Sequence, residues 1–163
     1  MKIRDRIKEL RRVPANQLKP NPKNWRVHTE EQGNALRSLL AQVGFAGAVL
    51  ARELSDKSLM LIDGHLRAET SGTEKVPVLI LDVNETEADL ILATFDPVGS
   101  MAIHDPEKID NLLAELTIES LELTTLIAEL GTKQDDKETP DEFPAFGDDL
   151  KTENECPKCG FEF

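Results

Sequence analysis

The run VPVLILDV at residues 76–83 is the feature that most restricts the fold of this chain. It consists almost entirely of β-branched residues and leucine, and it lacks the polar–apolar alternation of a strand with one solvent-exposed face. Such a run predicts a strand that is buried on both faces. The chain must therefore fold into a globular domain that encloses this strand within a sheet.

Two further strands are predicted upstream of that run. AVLA at residues 48–51 and LMLI at residues 59–62 are short apolar segments, and the turn-forming residues 55–57 lie between them. Apolar runs separated by a short polar turn are typical of neighbouring strands. We expect these two strands to lie side by side.

Two helices begin with capping boxes, in which the N-cap side chain and the side chain three residues later satisfy free backbone N–H groups. The first box predicts a helix over residues 30–43, which Gly44 ends. The second opens a helix that should end near residues 96–97. The pairs are Thr29 with Gln32 and Asn84 with Glu87.

Both ends of the chain should carry additional segments. Apolar residues at helical spacing predict a basic amphipathic helix over residues 1–12. Residues 104–131 should form a helical hairpin extension that packs on the core or on a second subunit. Residues 132–155 are acidic and broken by proline and glycine, which is typical of a linker.

The formal net charge of −12 is unevenly distributed along the chain. Residues 1–37 hold ten Lys and Arg against four Asp and Glu, whereas the rest of the chain is strongly acidic. This distribution argues against a general nucleic-acid binder, although the basic region could contact DNA phosphates locally or simply form a solvated surface. Without an apolar run of about 20 residues or a signal peptide, we expect a cytoplasmic protein.

The stretch LMLIDGHLRAE at residues 59–69 predicts a strand, a glycine turn and the start of a helix. Free N–H groups at a helix start attract anions, and a glycine lets a ligand approach the backbone closely. Gly64, His65, Leu66 and Arg67 could therefore bind phosphate. The alternative is a tight turn capped by Asp63, with Arg67 in a surface ion pair.

The order of elements over residues 13–103 resembles the ParB/sulfiredoxin-like family. The segments that carry the resemblance are VPANQLKPNPKNWRVH, GFAGAVLARE, IDGHLRAE, KVPVLILD and ETEADLILATFD. The resemblance implies an α+β fold with a small mixed sheet flanked by helices. It is strongest to short members of the family found in phages and mobile elements.

The resemblance also implies a site and a function. The phosphate-binding motif of the family corresponds to Gly64-His65-Leu66-Arg67, and Asn24 and Arg26 would lie in the same cleft. His65 stands where sulfiredoxins have their reactive cysteine, so that chemistry is not expected. The implied function is a binding module for CTP or ATP with Mg²⁺, acting in DNA metabolism, partition or modification.

An enzymatic alternative remains open. Slow hydrolysis of the nucleotide could use His65 as a catalytic residue that assists proton transfer. A ParB-like metal-dependent nuclease or phosphotransferase would need convergent metal ligands. The candidates are Asp63, His65, His28 and Asp96.

The sequence CPKCGFEF at residues 156–163 predicts half of a zinc ribbon. Cys156 and Cys159 have the spacing of a zinc knuckle, but a structural zinc site needs four ligands. The other two could come from a second subunit, which would give a homodimer, from another partner protein, or from His104 and His28. A structural adaptor that dimerises through this knuckle and the helices at 104–131 is the third interpretation.

Overall fold

The computed structural model describes residues 3–103 and 105–132. Five strands form one mixed sheet in the order β1-β5-β3-β4-β2. Pairing is antiparallel between β1 and β5 and between β3 and β4, and parallel between β5 and β3 and between β4 and β2. The strands are β1 Ile7–Pro14, β2 Leu18–Lys19, β3 Val49–Glu53, β4 Leu59–Asp63 and β5 Lys75–Leu81.

Five α-helices accompany the sheet in the described part of the chain, and a 3-10 turn, Ala15–Gln17, connects β1 to β2. None of these helices has the combination of length and apolar character that a membrane crossing requires. The helices are α1 Glu30–Val43, α2 His65–Ser71, α3 Glu85–Ser100, α4 Pro106–Glu115 and α5 Leu121–Thr132.

The core lies on both faces of the sheet. On one face, Val76, Val78 and Ile80 of β5 pack in a cluster that includes Ala68 of α2. On the opposite face, Ile62 of β4 packs against α3 in a cluster that includes partly buried Leu81 of β5. The predicted burial of this strand on both faces and the small mixed sheet flanked by helices are confirmed.

The helix predicted over residues 1–12 is wrong. Ile7–Pro14 instead forms β1, which pairs along β5 with Arg12 opposite Pro77. The apolar spacing that suggested a helix does not mark a buried face, since Ile7 and Leu10 are more than half exposed and Val13 is the buried residue. Backbone pairing with a distant strand outweighs the local periodicity.

The helices that carried capping signals are present. Thr29 accepts a hydrogen bond from the Gln32 N–H at the start of α1, and Asn84 and Glu87 form a complete capping box at α3. However, α3 continues to Ser100, past the end expected at residues 96–97. Pro97 is tolerated there because it lies in the last turn, where the carbonyl it leaves unbonded belongs to exposed Ala93.

Two helices, α4 and α5, follow α3 in the described part of the chain. Asp105 caps α4 by accepting a hydrogen bond from the Lys108 N–H. Helix α5 lies beside α1, since Ser38 of α1 donates a hydrogen bond to Glu122 of α5. The acidic linker, the zinc knuckle and His104 lie outside the described residues.

Candidate functional site

The turn between β4 and α2 can be made only by glycine. Gly64 has a φ angle of +85°, and a Cβ atom at this position would lie 2.6 Å from Cγ1 of Val49. Both the left-handed backbone and the contact with β3 exclude a side chain. The sequence-predicted glycine turn therefore holds the first turn of α2 directly against the sheet.

A cavity of about 660 Å³ opens beside this turn. Its walls are formed by the start of α2, the N-terminal half of α1, the segment that precedes α1, and the first residues of α5. Among the sequence-predicted site residues, Arg26, Gly64, His65, Leu66 and Arg67 line it. These residues come from distant segments of the chain, and their role in binding phosphate stays a prediction.

Asn24, the remaining predicted site residue, does not line the cavity. Its Oδ1 atom accepts from the backbone N–H of Arg26 at 3.5 Å, which is at the outer limit of a hydrogen bond. Asn24 can thus help to fix the backbone of Arg26, and it has no contact of its own with the cavity.

Arg26 is nearly buried and is held by two carboxylates. One terminal nitrogen lies 2.7 Å from Oδ2 of Asp96, and the other lies 3.4 Å from Oδ1 of Asp63. The guanidinium carbon is also 5.2 Å from the centre of the Trp25 ring. The Nε atom is buried and has no hydrogen-bond partner in the described part of the chain.

His65 is held as a neutral imidazole. The backbone N–H of Asn21 donates to its Nε2 atom at 3.2 Å, so the ring proton is placed on Nδ1. Burial lowers the pKa of His65, and the positive charge of Arg26 lowers it further, while Asp63 acts in the opposite direction. The Nδ1 atom is buried, and the described residues provide no acceptor for it.

This geometry limits the catalytic role predicted for His65. The ring nitrogen that could accept a proton is already occupied by the Asn21 N–H. His65 can donate a hydrogen bond from Nδ1, but a general base would first have to break the bond to Asn21. A catalytic role for His65 stays a prediction.

Arg67 has a structural contact in addition to its position at the cavity. One terminal nitrogen donates to the carbonyl oxygen of Ala48 at 3.0 Å, which ties α2 to the start of β3. A guanidinium group has five N–H donors, and this bond uses one of them. The alternative of a surface ion pair finds no support, because no ion pair of Arg67 is found among the described residues.

Sequence reasoning missed the walls that α1 and α5 contribute. Leu36, Leu39 and Leu40 form an apolar stripe at helical spacing on α1, yet Leu39 is 45% exposed and borders the cavity. A stripe whose members remain half exposed indicates a ligand or partner surface, but exposure cannot be read from periodicity. The missed apolar residues are Ala35, Leu36, Leu39, Leu121, Leu123 and Leu126.

The proposed metal ligands do not form a cluster. Asp63 and Asp96 both pair with Arg26, and Nδ1 of His28 is 2.9 Å from Oε1 of Gln32. Within residues 3–103 and 105–132 there is no group of three or more His, Cys, Asp or Glu residues that could hold a metal ion.

Comparison with known proteins identifies the fold. No protein-family model and no curated protein matches the sequence. The C-terminally truncated chromosome-partitioning protein ParB from Caulobacter crescentus, complexed with CTP-gamma-S, superposes with a TM-score of 0.51 at 19% identity over 65% of this chain. The core has a ParB-like fold. The prediction of a ParB/sulfiredoxin-like fold is confirmed, and the match spans 60% of that ParB chain.

Two other solved structures show weaker similarity to the ParB-like fold of this chain. Sulfiredoxin from Arabidopsis thaliana gives a TM-score of 0.43 at 15% identity, covering 52% of this chain and 97% of its own. A Pnob8-like ParB-N domain gives 0.44 at 20% identity, covering 79% of this chain and 50% of its own.

Proposed function

We propose that this protein is a binding module for nucleoside triphosphates, CTP or ATP, whose phosphates lie at the Gly64 turn. The observation that carries the proposal is the convergence of Arg26, His65 and Arg67 on one cavity beside the Gly64 turn. Two N–H groups of this set, Nε of Arg26 and Nδ1 of His65, are buried without an acceptor among the described residues, and such donors are costly. Phosphate oxygens are strong acceptors that suit an arginine.

The position of these donors supports a phosphate ligand. Arg26 and His65 line the same cavity as Gly64 and Arg67, whose guanidinium retains N–H groups beyond its bond to Ala48. The cavity volume of about 660 Å³ falls within the range of small-molecule sites, roughly 300–1,000 Å³. The ParB of similar fold was crystallised with CTP-gamma-S, which supports the choice of a nucleotide.

The cellular setting is part of the same proposal. We place the protein in DNA metabolism, partition or modification of a phage or mobile element, where it would bind and not rapidly turn over its nucleotide. Exposed Arg11 and Arg12 on β1 could contact DNA phosphates. Mg²⁺ would arrive with the phosphates, since Asp63 and Asp96 already pair with Arg26.

Calorimetric titration with CTP, ATP, GTP and UTP, with and without Mg²⁺, tests this function. Arg67→Ala should weaken binding roughly ten- to a hundred-fold, because a charged hydrogen bond contributes about 1.5–3 kcal/mol. Arg37→Ala is the matched control, since Arg37 is an exposed arginine of α1 that does not line the cavity. Thermal unfolding of both variants would show that the fold is retained.

The outcomes separate this function from the enzymatic alternatives. Saturable binding with negligible turnover that depends on Arg67 supports the module. Rapid product release that depends on His65 or Asp63 would instead support a nuclease or phosphotransferase. If folded protein binds none of the four nucleotides, the proposal fails.

A structural adaptor is a second candidate because α4 leaves an apolar surface uncovered. This helix has no buried residue, and Leu112 and Leu116 are about half exposed. A dimer joined by α4 and by zinc at Cys156 and Cys159 would persist without nucleotide and dissociate with a chelator. Size-exclusion chromatography with light scattering, with and without chelator, would test this.

A further inference from the structure

The cavity changes in character along α1. Near Thr29 it is bordered by Arg26 and His65, whereas further along the helix its lining is apolar. Ser38 lies nine residues after Thr29, or roughly 14 Å at 1.5 Å per residue, and it bonds to Glu122 of α5. The apolar residues that line the cavity on α1 and α5 are Ala35, Leu36, Leu39, Leu121, Leu123 and Leu126.

Glu122 is the carboxylate at this apolar end of the cavity. Its Oε2 atom accepts from the hydroxyl of Ser120 at 2.6 Å and from that of Ser38 at 3.3 Å. These bonds, together with one from its own backbone N–H, lower the pKa of Glu122, so the group is an anion at neutral pH. A carboxylate has about four acceptor positions, which leaves one for a ligand.

The other carboxylate that lines the cavity, Glu31, is in a different situation. It lies in the first turn of α1, where its own backbone N–H and the hydroxyl of Thr29 lower its pKa. Glu31 therefore belongs to the start of α1, near the donor end, and Glu122 is the acceptor at the apolar end.

We propose that Glu122 selects the base of the nucleotide by accepting a hydrogen bond from an exocyclic amino group. This inference rests on the proposed function, because phosphates at Arg26, His65 and Arg67 direct the base toward the leucine-lined end. A planar base would pack on the leucines that α1 and α5 contribute to this end. The favoured ligands carry an amino group where their rejected counterparts carry a carbonyl oxygen.

Hydrogen-bond chemistry gives the direction of the selectivity. The amino groups of cytosine and adenine are donors, whereas uracil and hypoxanthine present an oxygen at the same ring position. An ionised carboxylate only accepts, so a base oxygen opposite Glu122 would find no donor there, and two acceptors would face each other. We expect a preference of roughly tenfold or more for the amino base, since a hydrogen bond to a charged group contributes about that much.

Two matched ligand pairs test the proposal, namely CTP against UTP and ATP against ITP. Each pair differs by one amino-to-oxygen replacement, and calorimetry on the full chain gives the affinity ratio. The key variant is Glu122→Gln, because an amide can rotate to donate or accept. Glu119→Gln is the control, since Glu119 is an exposed carboxylate that does not line the cavity.

The expected result is an amino-over-oxo preference in the wild type and in Glu119→Gln, and a ratio near one in Glu122→Gln. Wild-type ratios near one in both pairs, or ratios unchanged by Glu122→Gln, would overturn this inference while leaving nucleotide binding intact. No binding of any nucleotide or of inorganic tripolyphosphate would overturn both this inference and the proposed function.

Discussion

The sheet and the helices α2 and α3 that pack on it bury far more apolar surface than α4 and α5, which follow them in the chain. Five large side chains around the sheet are fully buried, namely Val49, Ile62, Val76, Val78 and Ile80. By contrast, α4 has no buried residue, and Leu123 is the buried residue among the described side chains of α5. Most of the apolar burial that stabilises the described fold therefore lies in the sheet and its flanking helices.

This difference divides the candidate site between a rigid wall and a weakly held one. Gly64 and His65 belong to the turn that packs on the sheet, and their positions follow from the core. Helix α5 and the segment before it are tied to α1 by long hydrogen bonds, 3.3 Å from Ser38 to Glu122 and 3.4 Å from Gln42 to Thr117. The fold therefore fixes the donor end, while the apolar end depends on a few contacts.

The largest expected effect is at the rigid wall, in Gly64→Ala. A non-glycine residue in the left-handed region costs about 1–2 kcal/mol. The methyl group would also lie 2.6 Å from Cγ1 of Val49, and such overpacking costs about 1–3 kcal/mol more. We expect the free energy of unfolding, measured in urea, to fall by about 2–5 kcal/mol.

Gly72→Ala is a comparison without the side-chain contact. Gly72 has a φ of +57° and a ψ of −106°, outside the left-handed helical region of Gly64, and a Cβ atom there would meet nothing within 4 Å. A strained backbone of this kind costs about 1–3 kcal/mol for a non-glycine residue. The added substitution Val49→Ala should reduce the loss at Gly64 and leave the loss at Gly72 unchanged. An equal effect of Val49→Ala at both glycines would show that the contact with β3 does not matter.

The same substitution, isoleucine to valine, should reduce stability in the sheet region but not beside α4. Ile62→Val removes a methyl group from a fully buried side chain, which typically costs about 0.5–1.5 kcal/mol. Ile103→Val removes the same group between α3 and α4, where the side chain is 95% exposed, and should change stability by less than about 0.5 kcal/mol. If urea unfolding shows that Ile103→Val lowers the free energy of unfolding as much as Ile62→Val does, the contrast between the two regions is wrong.

Local signals in the sequence predicted the rigid region well. The apolar run at 76–83 gave β5, and the capping pairs at Thr29 and Asn84 gave the starts of α1 and α3. Gly64 was predicted as the turn that opens α2 because a glycine stood between a strand pattern and a helix pattern. In each case the determining interactions lie within a few residues of one another.

Features that depend on distant pairing were not predictable in the same way. The strand β1 forms because residues 7–14 pair along β5, from Ile7 opposite Leu81 to Pro14 opposite Lys75, although its own sequence also has helical spacing. The ion pair of Arg26 with Asp96 and the approach of Glu122 to Ser38 likewise join residues far apart in sequence. Sequence patterns predicted the turn at residues 64–67 and the family resemblance added Arg26, whereas the position of α5 at the cavity depends on tertiary packing.

The smallest expected effect is the change of the free energy of unfolding with pH that His65 causes. Burial lowers the pKa of His65 below its ordinary value of 6.5, so the unfolded chain binds a proton here before the folded chain does. The stability contributed by neutral His65 is complete above pH 6.5 and declines as the pH falls from 6.5 toward the lowered pKa.

Urea unfolding at pH 7.5, 6.5 and 5.5 should show this decline. His65→Gln should flatten it. His28→Gln should preserve most of it, because the charge of His28 is the smallest of the causes that lower the pKa of His65. A decline that survives His65→Gln would mean that the loss of stability at low pH does not come from the His65 imidazole.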